Sequence, residues 1–422
     1  MRTSPAPSRE AGSKERPSAM PACSPRLEPG AASVNAYSIR GSTSVATRPV
    51  YVATVERPLG STGVHTHFRG FLAWAQRRNL PVHLVTPFDA RFAVYPVFGV
   101  GRLAKPFSRP FWVAWYRSSH WMMVRRALDR RLGDFSGPAT VYAQDPLSAH
   151  AALALKRRGS ELRVVLVVHF LRSQGDELAA NGYIVRGGRL YHRIQALEQS
   201  VLANADAIVA PSSWALRQLE ERLPIGIRAE RIPNFVHRPE RPSSTGKRDL
   251  ITIGRLEPVK NVDFVLRVLA EAQARGRRYT LTIVGEGPLA ARLRRDSARL
   301  GIESQVEFTG YVPQAASLLG NHKVYVHSAL LENCPLVVLE ALAAGMPVVT
   351  SPSGGVPELM THGVEGFFWD VRDVGGAAEW LISVLEAPVK RARLGEAARA
   401  SYESHYAADV QCPRLMRVLA GE

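Results

Sequence analysis

The sequence contains little cysteine. Only Cys23, Cys334 and Cys412 occur among 422 residues, and they lie far apart. An odd number of widely spaced cysteines does not fit a disulfide framework, and the paired spacing of a zinc site is missing. This usage is typical of a reducing compartment, so the small secreted disulfide-rich folds are excluded.

Long apolar segments are missing as well. No apolar run reaches the ~20 residues that a membrane-spanning helix needs. The N-terminus has no apolar segment of the signal-peptide kind, and its three Glu argue against a transit peptide. Because this region is rich in Ser, Pro, Ala and Arg, we predict that residues 1–48 form a disordered tail.

Acidic residues are scarce relative to basic ones. The net charge is +17 and the pI is near 10.3. Most of this excess comes from two segments, residues 1–48 with +4 and residues 91–131 with +8. A local excess is typical of a protein that meets an anionic surface. The hydrophobic content of 46% is ordinary for a globular protein, and 422 residues suffice for two or three domains.

Short β-branched runs alternate with helical patterns from residue 50 onwards, and a second such series begins near residue 250. Continuous apolar strands between helices predict parallel sheets that are covered on both faces. The polar, Pro-rich residues 237–249 separate the two series as a linker. We therefore predict an α/β fold with two doubly wound domains, residues 49–236 and 250–400. The strand candidates are VYVATVE, PVHLVT, TVYAQD, LRVVLVVHF, ADAIVAPS, LITIG, YTLTIVG, QVEFTG, KVYVHS and MPVVTS.

Ligands of such sheets bind at the carboxyl ends of the strands, so the loops there are candidate sites. Gly254 and Arg255 follow the strand LITI, and Lys260 opens the next helix. Gly254 lets a ligand approach the backbone, and the two cations, five residues apart, can straddle a diphosphate at a helix N-terminus. The alternative is an ordinary solvated basic loop.

Two acids lie in the apolar stretch ALLENCPLVVLEALAAGMPVV. Glu332 follows the strand KVYVHS, and Pro335 suits the first turn of a helix that contains Glu340. The free amides at the start of that helix would face an anion, while Glu340 would accept hydrogen bonds from vicinal hydroxyls. A core helix with one acid at each end is the alternative.

Two residues near these acids have different expectations. Cys334 lies between the acids and is expected to be a small packing residue rather than a nucleophile, because no His is near in sequence. Glu358 ends SGGVPE (353–358), a Gly-rich turn predicted to close the same pocket. A helix-start role and a functional role are both open for Glu358.

These segments resemble the retaining glycosyltransferases of family 4, which have the GT-B fold of two Rossmann-like domains facing across a cleft. The resemblance covers residues 50–400 and is strongest from 250 to 360. The Glu-x7-Glu signature of the family corresponds to Glu332 and Glu340. Phe235 stands where the family's I-P-N-G-V segment has Gly. The other matches are Gly254, Arg255, Leu256, Lys260 and Asn261 of the G-R-L…K-N segment, GGVPE at 354–358 and RIPNFV at 231–236.

The resemblance implies roles for individual residues of the C-terminal half. Arg255 and Lys260 would hold the nucleotide diphosphate. Glu340 would bind the ribose hydroxyls, and Glu332 would contact the transferred sugar. Backbone groups would hold the base and support the sugar at five further positions, Tyr311, Val312, Asn333, Cys334 and Leu336.

The loop after the first strand resembles the Gly-rich loop of the family, which covers the phosphates or the acceptor. The adjacent glycines of the family are split here as Gly60 and Gly63, and Gly63 is the donor-binding candidate. His65 stands where the family has Glu. For His65 and His67, a place in the site and a plain helix-start position are both open.

Two strand ends of the N-terminal half carry further candidates. His169 ends the apolar strand VVLVVHF, and the family often has a His there that contacts the donor sugar. A buried, bonded structural histidine is the alternative for His169. Asp145 ends the strand in YAQDP and is expected to face the acceptor.

Residues 91–131 interleave nine basic residues with Phe, Trp and Met. This combination suits the headgroup zone of an anionic membrane, and family members that act on lipid-linked acceptors commonly carry such a surface. The chain has no nucleic-acid module, so nucleic acid is not an expected partner. An ordinary insert that packs its aromatic rings inward is the alternative.

The resemblance implies retaining transfer of a hexose from an NDP-sugar to a lipid-linked or polysaccharide acceptor, in envelope or exopolysaccharide biosynthesis. No metal or other cofactor is expected, since no Asp-x-Asp follows a predicted strand, and no nucleophile is evident on the expected face. We expect a cytoplasmic protein, peripheral on the inner face of the membrane, with residues 401–422 crossing back over the N-terminal domain.

Other functions remain open at this point. Within the same fold, a sugar-nucleotide epimerase lacks the Glu-x7-Glu context, and a pyridoxal-type phosphorylase needs a cofactor lysine that the sequence does not reveal. A protein that binds nucleotide sugars without transfer is a second class, and a basic scaffold is a third. The joint presence of Arg255, Lys260, Glu332 and Glu340 favours transfer over both of these classes.

Overall fold

The structure is a computed structural model, and it describes seven segments: 48–60, 62–90, 97–100, 107–133, 137–156, 161–238 and 248–422. All of them belong to one unit, Ala46–Glu422. Nearly all of the predicted tail (1–48), which includes Cys23, lies outside the described residues. Most of the linker 237–249 and parts of the segment 91–131 also lie outside them.

Six parallel strands form the first described sheet, in the spatial order β2-β1-β3-β4-β5-β6. The four central strands have β-branched and alanine-rich sequences that are almost entirely buried, as expected for strands that are covered on both faces. The strands are β1 (Val50–Ala53), β2 (Val82–Val85), β3 (Ala139–Ala143), β4 (Leu162–Val167), β5 (Ala207–Ala210) and β6 (Ala229–Arg231). The helices of this half are α1 (Gly63–Gln76), α2 (Arg109–Gly133), α3 (Pro146–Lys156), α4 (Gln174–Ala180), α5 (Arg189–Asn204) and α6 (Ser213–Leu219).

The second described sheet has the order β12-β11-β10-β7-β8-β9, again with parallel neighbours. Its strands are β7 (Arg248–Ile253), β8 (Leu281–Val284), β9 (Val306–Gly310), β10 (His322–His327), β11 (Val348–Thr350) and β12 (Gly366–Phe368). The helices that follow β6 are α7 (Val262–Ala274), α8 (Ala290–Arg299), α9 (Leu336–Ala343), α10 (Val374–Leu385), α11 (Pro388–His405) and α12 (Ala408–Ala420).

Both sheets are doubly wound, so the predicted α/β fold with two Rossmann-like domains is confirmed. The strand order reverses between β1 and β3 in the first sheet and between β7 and β10 in the second. In open α/β sheets the ligand crevice lies at such a reversal, outside the carboxyl ends of the strands. The loops after β7 and β10 carry Gly254 and Glu332, so the fold brings these two candidate segments to the same crevice.

The two faces of the first sheet are covered by different helices. Tyr51 and Val141 pack with α2 and α3, whereas Val52 and Tyr142, their neighbours along the strands, pack with α1 and α12. The last helix therefore belongs to the core of the N-terminal domain. A hydrogen bond of 3.1 Å from Thr140 Oγ1 to the carbonyl of Leu419 fixes the end of this helix to β3.

Phe235 occupies the position at which the family has Gly. Its side chain is fully buried in the core that α1 shares with α12. The ring lies 5.0 Å from the imidazole of His67, centroid to centroid, and 3.6 Å from the position that a Cβ on Gly70 would take. The phenyl ring thus fills space that a family glycine leaves open, and Gly70 makes room for it.

We expect Phe235→Ala to lower the free energy of unfolding by about 3–5 kcal/mol, because it leaves a cavity in a closely packed core. Thermal unfolding followed by circular dichroism measures the loss. Val389→Ala is the matched control, since Val389 is 85% exposed and its truncation should change stability by less than about 0.5 kcal/mol. Equal melting temperatures for the two variants would contradict the assignment of Phe235 to the core.

Candidate active site

The site is built around an ion pair between loops on the two sides of the sheet reversal. Lys260, at the end of the 3-10 turn after β7, donates a hydrogen bond through Nζ to Oε1 of Glu332, in the loop after β10. Nε2 of His327, the last residue of β10, lies 3.5 Å from the same carboxylate oxygen. Both side chains of the ion pair are largely buried, 27% exposed for Lys260 and 14% for Glu332.

Local structure holds the two loops against each other. Asn261 adopts a left-handed conformation, φ +52°, which ends the turn of Lys260 and allows α7 to begin. Ser328 Oγ lies 2.9 Å from the carbonyl oxygens of both Lys260 and Asn261, within donating distance of each, and the amide of Leu330 donates to the carbonyl of Val259. These contacts bring Lys260 and Glu332 together without involving the side chain of either residue.

The environment of Glu332 keeps its carboxylate ionised. Burial raises its pKa, but the nearby imidazole of His327 and the ammonium of Lys260 outweigh burial and hold the pKa at about 2. Glu332 is therefore an anion throughout the neutral pH range, with a cation beside it.

Glu340 has the opposite electrostatic character. It lies in α9, and burial raises its pKa to about 7, with no charged partner to offset the effect. Within the part of the chain that the structure describes, no group donates a hydrogen bond to its carboxylate. Two acids eight residues apart thus titrate about five units apart, which is the pattern of groups with different roles in one site.

Glycines bring the neighbouring loops into backbone contact with the site. A Cβ on Gly285, φ +135°, would lie 1.9 Å from the carbonyl oxygen of Gly254, so the loop after β8 packs directly on the loop after β7. A Cβ on Gly354, φ +58°, would lie 2.0 Å from the carbonyl oxygen of Glu332. The Gly-rich turn 353–358 therefore packs directly against the backbone of the Glu332 loop.

Arg255 and Lys260 line one small pocket at the end of β7, together with His327 and Gly254. The guanidinium of Arg255 is 71% exposed and forms a local ion pair with Glu257 at 2.6 Å. The two cations that the sequence analysis selected are thus at one edge of the sheet. Arg255 has to exchange a local partner before it can bind a phosphate.

Tyr311 and Val312 follow β9, one strand beyond the Gly285 loop. The left-handed Gly310, φ +72°, turns the chain here, and the amide of Tyr311 lies 3.4 Å from Oε1 of Glu286. Tyr311 is 53% exposed. The structure places both residues at the outer edge of the same crevice, and their contact with a base stays a prediction.

The N-terminal domain reaches the site through Gly63, the first residue of α1. A Cβ on Gly63 would lie 3.4 Å from Cδ1 of Leu336, the first residue of α9. His65 serves the loop itself, because its ring nitrogens bond the hydroxyl of Thr62 at 2.7 Å and the carbonyl of Arg57 at 3.0 Å. A Cβ on Gly60 would collide with this imidazole at 2.3 Å, which explains the glycine there.

Two neutral histidines lie side by side at the end of the first sheet. The rings of His67 and His169 meet edge to face, 5.1 Å between centroids. Burial lowers the pKa of His67 to about 4 and lowers that of His169 well below its usual value. Nε2 of His169 pairs with Oε1 of Gln144 at 3.1 Å, and Nε2 of His67 pairs with the hydroxyl of Tyr142 at 2.8 Å.

Asp145 has a structural role, contrary to the expectation that it faces the acceptor. Its carboxylate accepts hydrogen bonds from the amide of Ser148 at 2.9 Å, the hydroxyl of Ser148 at 2.8 Å and the amide of Val55 at 2.9 Å. These bonds cap α3 and tie it to the end of β1. The side chain is 8% exposed and has its partners within the domain.

Cys334 is buried, 5% exposed, and burial raises the pKa of its thiol to about 12. A thiol in this state is not a nucleophile, as the sequence analysis expected. Cys334 and Cys412 are both free. Across the described segments no group of three or more His, Cys, Asp or Glu could hold a metal ion, and metal independence stays a prediction.

Sequence reasoning missed the residues that fasten the two domains near the site. Ser212 Oγ donates to Oδ1 of Asn333 at 2.5 Å, and Nδ2 of Asn234 donates to the carbonyl of Cys334 at 2.8 Å. It also missed His327, although this residue ends the strand KVYVHS. The strand-end rule that selected His169 could have selected His327.

The aromatic residues of α2 divide between core and surface. The tryptophans pack inward: Trp115 donates to the carbonyl of Val97 at 2.8 Å, and Trp112 and Trp121 lie against other rings. The exposed apolar residues of this part are Val100, Phe107, Phe111 and Met122. The tryptophans therefore pack as in an ordinary insert, and contact of the exposed residues with a membrane stays a prediction. No described helix has the length and apolar character to span a membrane.

Two family models match this chain. The Glycosyltransferase Family 4 model matches residues 61–238, and the Glycosyl transferases group 1 model matches residues 234–401. Together the two models cover the chain from the α1 loop to α11. The protein belongs to the family 4 glycosyltransferases and has their GT-B fold.

Two relatives illustrate the range of this similarity. A glycogen synthase from Mycobacterium tuberculosis is 29% identical over 309 residues, 70% of this chain and 72% of the relative. A GDP-mannose-dependent monoacylated alpha-(1-6)-phosphatidylinositol monomannoside mannosyltransferase from Corynebacterium glutamicum is 26% identical over 322 residues, 68% of this chain and 83% of the relative.

Solved structures share the fold at low sequence identity. Anabaena Alr3699/HepE, in complex with UDP, matches with a TM-score of 0.62 and 16% identity over 89% of this chain and 100% of its own. A variant of S. aureus TarM, in complex with Fondaparinux, alpha-GlcNAc-glycerol and UDP, matches with a TM-score of 0.56 and 16% identity. The match covers 70% of this chain and 59% of the TarM chain.

The raised pKa of Glu340 predicts a pH-dependent stability. A carboxyl whose folded pKa is about 7 instead of 4.5 stabilises the fold only while it is protonated, so this contribution is lost as the pH rises through 7. At about 1.4 kcal/mol per unit, ionisation costs on the order of 3 kcal/mol at pH 8. We expect Glu340→Gln to be more stable than wild type at pH 8 and about equal to it at pH 4, below the unfolded pKa of 4.5. Melting temperatures at both values test this, and a constant difference would contradict it.

Proposed function

We propose that the protein is a retaining hexosyltransferase that uses an NDP-sugar donor, needs no metal, and acts on a lipid-linked or glycan acceptor. The observation that carries this proposal is the cluster of Lys260, Glu332 and His327 at the reversal of the second sheet, with Glu340 in the following helix. It supplies a cation, a fixed anion and a carboxyl able to accept hydrogen bonds from hydroxyls. These are the groups that a diphosphate, a sugar and a ribose need.

Charge neutralisation of the leaving group comes from the C-terminal domain. Lys260 and Arg255 line the same pocket, and the first amides of α9 add the positive end of a helix. These groups would stabilise the negative charge that the diphosphate gains as its bond to the sugar breaks. No metal ion is required for this step in our proposal.

Retention follows if the acceptor enters on the face that the diphosphate leaves. The bond from the anomeric carbon to the diphosphate oxygen breaks, and a bond to the acceptor oxygen forms on the same face. The acceptor proton passes to the departing phosphate oxygen, so the products are the glycoside and a protonated NDP. Glu332, anionic beside the sugar, would stabilise the positive charge that develops at the anomeric carbon.

The comparisons support the donor class without selecting the donor. Structural neighbours were solved with UDP, and one relative is named as dependent on GDP-mannose. Uridine and guanosine donors are therefore both included in the proposal. Residues near Tyr311 and Val312 would hold either base through backbone groups.

The outer face of α2 supports a lipid-linked acceptor. Phe111, Met122 and Arg126 are exposed and lie within about 60° of one another around the helix. Basic and apolar side chains on one face suit the headgroup zone of an anionic membrane. The C. glutamicum relative is named for a phosphatidylinositol mannoside substrate. We propose that the protein lies on the inner face of the cell membrane in envelope or exopolysaccharide biosynthesis.

A donor screen tests the activity. Purified protein with membrane-extracted lipid acceptor receives UDP-glucose, UDP-galactose, UDP-N-acetylglucosamine, GDP-mannose and GDP-fucose in turn, and NDP release is measured. We expect acceptor-dependent release with one donor. Glu332→Ala and Lys260→Ala should each reduce kcat/KM at least about a hundredfold, because each leaves a buried charge unpaired and removes a contact to the reacting groups.

Lys323→Ala is the matched control for Lys260→Ala. Lys323 also forms an ion pair in the C-terminal domain, with Asp249 at 2.7 Å, but it lies near the start of β10, at the opposite edge of the sheet. It should retain activity. NDP release that persists in Glu332→Ala would contradict the assigned site. So would an equal loss of NDP release in Lys323→Ala and Lys260→Ala.

Vesicle binding tests the membrane surface. We expect the protein to sediment with vesicles of equal parts phosphatidylglycerol and phosphatidylcholine, but not with phosphatidylcholine alone. Phe111→Ser/Arg126→Glu should weaken this binding about tenfold or more, since each basic residue adds about 1 kcal/mol near an anionic surface. Arg295→Glu changes the charge equally on the exposed face of α8 and should have little effect. Equal losses in both variants would contradict a surface on α2.

A further inference from the structure

The loop that carries Glu332 is held by the N-terminal domain as well as by its own. We call the contacts of Ser212 and Asn234 with residues 333 and 334, and those of Glu358, the interdomain seam. Ser212 donates to the side chain of Asn333, and Asn234 donates to the carbonyl of Cys334. Each partner in the loop follows Glu332 by one or two residues.

Glu358 is the charged member of the seam. Its Oε2 accepts a hydrogen bond from the amide of Ser213 at 2.8 Å, and its Oε1 accepts one from the amide of Trp214 at 2.7 Å. The guanidinium of Arg231 lies 3.0 Å from Oε2. Glu358 belongs to the C-terminal domain, and all three partners of its carboxylate belong to the N-terminal domain. Both carboxylate oxygens are thus used across the domain boundary.

The turn before Glu358 connects it to the loop that carries Glu332. The amide of Gly355 donates to the carbonyl of Glu332 at 2.9 Å. A Cβ on Gly355 would lie 2.0 Å from the carbonyl oxygen of Asn333 and 2.8 Å from Cβ of Ser212. No side chain fits at this junction, so the turn, the Glu332 loop and the N-cap of α6 are in direct contact.

We propose that Glu358 is a positioning residue for sugar transfer. By binding the first amides of α6, it sets the separation of the two domains at the loop that carries Glu332, and it does so without touching the donor. This inference rests on the proposed function, because it assigns Glu358 a part in the transfer step. The sequence analysis had left a helix-start role and a functional role open for it, and the structure shows that the helix it caps belongs to the other domain.

If Glu358 only positions the domains, its loss should affect nucleotide binding and sugar transfer differently. The groups assigned to the nucleotide, Arg255, Lys260 and Glu340, all lie in the C-terminal domain and do not contact Glu358. Nucleotide binding should therefore be insensitive to the seam. Sugar transfer needs the N-terminal domain at the correct distance from the donor, and it needs water to be excluded. Transfer should therefore be sensitive to loss of the seam.

The experiment compares Glu358→Gln and Glu358→Ala with wild type in the full-length chain. UDP and GDP binding is measured by calorimetry, and NDP release from UDP-glucose and GDP-mannose is measured with and without lipid acceptor. We expect nucleotide affinity within about twofold of wild type and kcat of transfer reduced about tenfold or more, with a larger share of donor hydrolysed. Glu358→Gln keeps one oxygen acceptor and should fall between wild type and Glu358→Ala.

Asp249→Asn is the matched control. Asp249 is also a carboxylate of the C-terminal domain that binds a backbone amide and a cation, Thr280 and Lys323, but it does so at the opposite edge of the sheet. It should lower the melting temperature without changing the ratio of transfer to hydrolysis. Glu358 variants that lose nucleotide affinity and transfer in equal proportion, as expected for lost stability alone, would overturn the inference.

If the proposed function itself is wrong, the wild-type protein gives a distinguishable result. A wild-type protein that binds UDP or GDP but transfers no sugar contradicts hexosyl transfer. Small-angle X-ray scattering then decides the inference separately, because release of the seam in Glu358→Ala must increase the radius of gyration. An unchanged radius overturns the positioning role.

Discussion

The structure depends on keeping a buried carboxylate charged. Removing an anion from water is unfavourable unless a cation and hydrogen bonds compensate for the lost hydration. Glu332 obtains both from Lys260, and the imidazole of His327 lies 3.5 Å away. The two partners come from the two strands that meet at the reversal of the second sheet, β7 and β10. The strand order, the left-handed Asn261 and the hydroxyl of Ser328 all serve to bring these loops together.

The same physics gives Glu340 the opposite state. Among the described residues no cation pairs with this largely buried side chain, so burial favours the neutral form and raises its pKa. A carboxyl group of this kind changes its charge near neutrality and is best satisfied by hydroxyl donors, which carry no charge of their own. The contrast with Glu332 shows that the Glu-x7-Glu pattern fixes two positions, while the partners of each acid decide its chemistry.

Local sequence patterns predicted a large part of this protein, and long-range contacts account for the rest. Apolar runs revealed the strands of both sheets, and the strand-end rule selected Lys260, Glu332 and Glu340. The bond of His65 to the carbonyl of Arg57 and that of Asp145 to the amide of Val55 could not be predicted, because they span eight and ninety residues. The seam was missed for the same reason: Ser212 and Asn333 are 121 residues apart, and no pattern within one strand or helix relates them.

Charge is divided unequally between the two sides of the candidate site. On the N-terminal side no acid of the described segments pairs with His67 or His169, and burial keeps both rings neutral. On the C-terminal side, Lys260 pairs with Glu332, and Arg255 lines the same pocket as Lys260. A diphosphate would therefore be neutralised by one domain, whereas the other offers neutral hydrogen-bonding groups suited to hydroxyls. Under the proposed function, transfer would use groups of both domains, so the contacts that set the relative position of the domains would act on the reaction as well.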